Sequence, residues 1–359
     1  MLKKGSKSFV NRSCRGYLIL FLVLSVYSEA QVVSPFNNLT VSDSSENYTF
    51  LVSGHFHGAS TSLSTFPAST LLANIDTINS LHSLFLISLG DLFLDVNENY
   101  LTHYKVSLFD KLKMPLLNSV GNHDLSRNIY EKKFGKTFFS FIHKTELFIV
   151  LNTEEYDGSI KSEQLSFFEN AINLSIKGNI KNIFVFSHRP IWAESLSKYS
   201  KLFPDNTHTD FGKNNFKEEI LPILNKVSSS KNIYWISGSM GGGAPSSFFY
   251  DKDLETKITY IQTAIRDLPR DAILQAKIEN GIVTFKGVSI TGQNLKLIEE
   301  YNLEFWAKNN PPESAFNYRL IPYLTKQMLL HHYFWIGFLF GGIFILFFIL
   351  IIKKWRRRK

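Results

Sequence analysis

The stretch Met114-Pro115-Leu116-Leu117-Asn118-Ser119-Val120-Gly121-Asn122-His123-Asp124 decides how this chain is read. A short apolar run breaks off at a glycine, and polar side chains suited to metal or proton chemistry follow at once. The run is too short for a typical helix and reads as a buried strand. The same design recurs on both sides of it. Residues 48–53 end at Gly54-His55-Phe56-His57-Gly58, and 84–89 at Gly90-Asp91. Residues 183–187 end at His188-Arg189-Pro190, and 233–237 at Gly238-Ser239-Met240-Gly241-Gly242-Gly243. Apolar stripes at helical spacing lie between them: Leu71, Leu72, Ile75, Ile78 and Leu81; then Gln164, Leu165, Phe168, Ala171 and Ile172; then Ile220, Leu221 and Leu224. Strand–helix alternation predicts a layered α/β fold. Asn280-Gly281 between 273–278 and 282–285 predicts a closing antiparallel hairpin. In such folds functional groups gather beyond the carboxyl ends of strands, which is where these His, Asp and Asn residues stand.

The flanks differ from this body. The chain has 359 residues, 44% apolar and 19% charged, enough for a substantial core and too apolar for wholesale disorder. The net charge of +8 suggests a nucleic-acid binder until it is located. Five basic residues and one acid in 1–30, with six basic residues in 353–359, leave 28 basic against 30 acidic residues between. A basic nucleic-acid-binding body is therefore not expected. Lys3, Lys4, Lys7, Arg12 and Arg15 precede an apolar run at 17–26 and then Ser28-Glu29-Ala30, the order of an export signal over 1–30. Cleavage after Ala30 would remove Cys14, the chain's one cysteine, and with it any disulfide or thiolate metal site. Residues 333–352 carry no charge and are long enough to span a bilayer; the basic tail 353–359 favours the cytoplasmic side. The expected order is signal peptide 1–30, linker 31–46, domain 47–308, juxtamembrane connector 309–332, transmembrane helix 333–352 and cytoplasmic tail, with the domain outside the cytoplasm.

The strand-end turns resemble the calcineurin-like metallophosphoesterase superfamily over most of 48–306. That family's order is Asp-x-His, Gly-Asp, Gly-Asn-His-Asp or -Glu, a lone His after a strand, then Gly-His-x-His. Gly90-Asp91, Gly121-Asn122-His123-Asp124 and Phe186-Ser187-His188-Arg189-Pro190 match in order and spacing. Tyr156-Asp157-Gly158-Ser159-Ile160 before Glu163-Gln164-Leu165 is similar to the segment preceding the family's fourth strand. The resemblance implies a two-sheet α/β/β/α sandwich and a metal-dependent attack on a phosphate ester. Two divalent cations ~3.5–4 Å apart clamp phosphoryl oxygens and stabilise in-line displacement. By resemblance Asp91 bridges the metals, Asn122 and His188 ligate, His123 protonates the leaving oxygen and Asp124 orients it.

Two departures stand out. His55-Phe56-His57 replaces Asp-x-His, and Gly238-Ser239-Met240-Gly241 replaces Gly-His-x-His, so one carboxylate and two imidazoles are missing. What remains allows one site on His55, His57 and Asp91, another on Asp91, Asn122 and His188, or a single ion on the first set. Such ligands favour Mn²⁺, Zn²⁺ or iron over Ca²⁺. His82, His103, His143 and His208 match no motif and are expected at the surface. The function expected is a membrane-anchored extracytoplasmic phosphoesterase using one or two divalent ions on a phosphorylated substrate. The alternative is a catalytically degenerate protein of this fold, acting in binding or in envelope or surface-polymer biogenesis.

Overall fold

The computed structural model describes residues 32–42, 44–62, 64–126, 129–200, 214–309, 321–330 and 332–357. The expected signal peptide, His208, His331, half of the connector and the last two tail residues lie outside the described residues. The strands are β1 (Tyr48–Ser53), β2 (Leu86–Ser88), β3 (Leu116–Asn118), β4 (Phe139–His143), β5 (Glu146–Val150), β6 (Asn182–Ser187), β7 (Asn232–Ser237), β8 (Phe248–Asp253), β9 (Ile258–Thr263), β10 (Ala272–Glu279) and β11 (Ile282–Ser289). They form two mixed sheets. One runs β11-β10-β1-β2-β3 and the other β4-β5-β6-β7-β9-β8.

Period-two alternation explains the stacking, because neighbouring side chains on a strand face opposite layers. Phe148, Val150, Phe184 and Phe186 turn inward to meet Phe50, Val52, Phe85 and Ile87 of the other sheet in one buried cluster. Phe148 stacks on Phe184 with ring centroids 5.2 Å apart, and Phe50 meets it edge-on at 5.5 Å. The alternate residues Leu147, Ile149, Ile183 and Val185 turn outward, beneath Phe168 and Ile172 of the helix Ser162–Lys177. Leu51, Leu86 and Leu116 do the same on the other side, beneath Leu71, Ile78 and Tyr104. The result is the expected α/β/β/α sandwich, with one core between the sheets and one beneath the helices on each outer face.

Residues 32–42, expected to act as a linker, are packed onto the domain. Ser34 Oγ–H donates to Leu116 O at 2.6 Å, and Asn37 Nδ2–H to Met114 O at 2.8 Å. Phe36 is buried against Phe109 and Phe134. The segment thereby covers β3, the outer strand of its sheet, whose unpaired backbone would otherwise face solvent. His143, expected at the surface, is buried edge-on against Tyr48. At the other end, the helix His332–Arg356 has a mean hydropathy of 2.8 in its most apolar window and buries none of it, and it is long enough to cross a membrane.

Candidate metal centre

The parallel strands β1, β2, β3, β6, β7 and β9 all end at the same edge of the sandwich, and the turns that follow them are tied together there. His55 N–H donates to Gly90 O at 3.0 Å, Gly54 N–H to Thr263 O at 3.1 Å, and Gly238 N–H to His188 O at 3.0 Å. Two glycines let the turns approach this closely. A Cβ on Gly121 would lie 2.3 Å from Asp91 Oδ1, and one on Gly238 would lie 2.2 Å from Leu89 O. His55 and Asp91 take left-handed backbone conformations (φ 56° and 52°), a local cost at the turns that bring their side chains together.

Asp91 Oδ2 is the point of convergence. His55 Nδ1 lies 3.2 Å from it, His57 Nε2 3.5 Å and His188 Nε2 3.6 Å. All four side chains are buried. The other oxygen, Oδ1, accepts the His123 backbone N–H at 3.2 Å. Burial alone would push the Asp91 carboxyl up. The imidazoles gathered around it, His188 and His123 first and then His55 and His57, outweigh this and hold the group well below the usual carboxylate range. Burial pushes His55 well below the ordinary imidazole value, and His57 to about 4, against the pull of Asp91. Those two rings are therefore neutral at neutral pH, the form that ligates metals.

This donor set fits a divalent cation. His188 donates Nδ1–H to Leu89 O at 2.8 Å, which leaves the Nε2 lone pair directed at an ionised carboxylate oxygen. At 3.6 Å a proton between them would make no proper hydrogen bond, whereas a cation satisfies both acceptors. Donor atoms of His55, His57 and Asp91 also lie within 4.8 Å of one another. Asn122 sits exposed on the adjoining turn between Gly121 and His123.

The strand ends, sheet order and convergent donors agree. The fold fits the metallophosphoesterase type. The sequence matches no family model and no curated protein. Among solved structures it is similar to a dimetal phosphatase from Danio rerio, at 13% identity over 68% of this chain and 96% of that one, with a TM-score of 0.49. It is also similar to a conserved uncharacterized protein, a predicted phosphoesterase, from Streptococcus pneumoniae TIGR4, at 10% identity over 68% and 90%, with a TM-score of 0.31.

Within this metallophosphoesterase-type fold two expectations change. Asp124 does not orient the His123 ring. It is fully buried, and its oxygens accept the N–H groups of Phe93 (2.9 Å) and Gly121 (2.9 Å) and the Asn118 amide (3.2 Å), so it fixes the turn. Burial and the charge of Asp91 push its pKa up to about 6. The His123 ring is held instead by Leu94 O, 2.9 Å from Nδ1. The second change is a residue that the motifs did not reveal. Arg266 places Nη2 3.1 Å from His55 Nε2, and donates Nε–H to Met240 O at 2.7 Å and Nη1–H to Ser60 Oγ at 2.9 Å. It follows β9, so the strand-end rule would have found it had that strand been recognised.

Proposed function

We propose that the chain is a metal-dependent phosphoesterase, anchored by the 333–352 helix with its domain outside the cytoplasm. What supports this reading most is Asp91 Oδ2, an ionised oxygen ringed by three imidazole nitrogens at 3.2–3.6 Å. A bound Mn²⁺, Zn²⁺ or iron ion would supply Lewis-acid polarisation of the phosphoryl oxygens. Asp91, His57 and His188 would hold it, with Asn122 on the turn beside them. The remaining work falls to the chain's own side chains. Leu94 O takes the Nδ1–H of His123, which leaves Nε2 as the atom that carries a proton to a departing ester oxygen. Asp124 keeps the turn closed so that this ring stays beside His57, their centroids 5.2 Å apart.

The test uses the full chain in detergent with Mn²⁺ or Zn²⁺ and a chromogenic phosphate monoester and diester. His123→Gln should lower turnover by ~10²–10⁴-fold while bound metal is unchanged. Asp91→Asn should remove the metal. A folded chain that hydrolyses neither ester would overturn the reading in favour of a binding protein of the same fold. One observation favours that second reading: Ser239 and Gly241 bring no imidazole to the site, where Arg266 lies against His55 instead.

A further inference from the structure

His55 offers its Nδ1 to the cluster, and what touches its other nitrogen decides whether that atom can bind a metal. Arg266 Nη2 lies 3.1 Å from Nε2, and the Met240 backbone N–H donates to the same atom at 3.3 Å. A guanidinium N–H and a backbone N–H can only donate, so Nε2 can only accept. A neutral imidazole that accepts at Nε2 carries its proton on Nδ1. That proton points at Asp91 Oδ2, 3.2 Å away, as a normal donor to a carboxylate would. An Nδ1 that carries a proton has no lone pair for a metal. Moving the proton to Nε2 would set it against two other donors in a buried pocket. His188 is arranged the opposite way. Its Nδ1–H is fixed by Leu89 O, and its free Nε2 lone pair faces Asp91.

With His55 a donor and Gly241 bare, the nitrogens left around Asp91 Oδ2 as acceptors are His57 Nε2 and His188 Nε2. Asp91, His57 and His188 make three protein ligands, enough for one such ion and too few for two. Arg266 meanwhile brings a cation of its own to the His55 side. A guanidinium keeps its charge in proteins.

We propose that this chain holds one divalent ion, among Asp91, His57 and His188, and that the Arg266 guanidinium replaces the charge of a second ion, with His55 serving as a hydrogen-bond donor to Asp91 rather than as a ligand. The proposal rests on the metal-dependent reading above and specifies its stoichiometry.

The experiment is equilibrium dialysis of the full chain in detergent against Mn²⁺, with bound metal counted by elemental analysis and its spin state read by electron paramagnetic resonance. The expected result is one ion per chain with the hyperfine-split signal of an isolated Mn²⁺. Two ions per chain with a spin-coupled signal would overturn this proposal and leave the phosphoesterase reading intact. No saturable binding would overturn the metal-dependent reading itself, and this proposal with it. Position is settled by two variants. His188→Ala should abolish saturable binding, and its retention would show that His188 is no ligand and refute the assignment. Should that variant fail to fold, His55→Ala should still bind one ion at saturation, and loss of that ion would refute it equally.

Discussion

Replacing Gly238 by alanine tests how the packing of the two sheets reaches the metal centre. The added methyl would lie 2.2 Å from Leu89 O and 2.4 Å from Leu89 Cβ. Carbon contacts settle near 3.5–4.0 Å, so the two turns must part by more than ~1 Å. Overpacking of this kind costs ~1–3 kcal/mol. For a domain of this size each kcal/mol moves the thermal midpoint by ~2–4 °C, which predicts a fall of ~2–12 °C. The atom that must move also accepts the Nδ1–H of His188, at 2.8 Å. Losing that support should weaken metal binding by ~10–100-fold. Calorimetry of the metal-free chain and titration with Mn²⁺ read the two effects separately. Gly242→Ala is the control, because nothing lies within 4 Å of its added methyl. If Gly238→Ala tracks Gly242→Ala in both measurements, the link from glycine contact to Leu89 to His188 is wrong.

Three further outcomes follow from the same structure. His57 has its pKa lowered from 6.5 to about 4 by burial, and His55 shifts the same way, so the unfolded chain binds more protons than the folded one across that window. Stability of the metal-free chain should therefore fall as pH drops from about 6.5 towards 4, although Asp124, raised to about 6, opposes this in part; a urea midpoint that rises on acidification would contradict it. Phe148→Ala empties the centre of the inter-sheet core and should cost ~3–5 kcal/mol in urea unfolding, while Val106→Ala, at an exposed site, should cost little. Protease added to intact cells should release the domain and leave the basic tail protected, and an accessible tail with a protected domain would reverse the proposed topology.

The sequence made much of the sandwich legible, because β1, β2, β3, β6 and β7 each stop at a glycine or a lone histidine. The hairpins β4–β5 and β8–β9 were not legible in the same way. Each turns through a lysine in the left-handed region, Lys144 (φ 56°) and Lys257 (φ 58°), where the usual turn signal is glycine or asparagine. That omission hid Arg266, which stands just past β9. Of the candidate site, the positions of His55, His57, Asp91 and His188 could be read from strand ends. The tautomer of His55 could not, since it depends on a guanidinium 211 residues away in sequence. The role of Asp124 was hidden similarly, because its three donors come from Phe93, Asn118 and Gly121, on separate turns and strands.

The segment 32–42 bears on the order in which the chain is made. Its partners on and beside β3, Leu116 and Met114, come 82 and 77 residues after Ser34 and Asn37. Synthesis runs from the amino end, so the cover is complete before the strand edge it will cover exists. By the time β3 emerges and pairs with β2, a segment of the same molecule is at hand for its open side. Neighbouring nascent chains then compete for that edge with a tethered partner, and cross-pairing between molecules is suppressed from the outset. A cover made later than β3 would have left the edge exposed until that cover emerged.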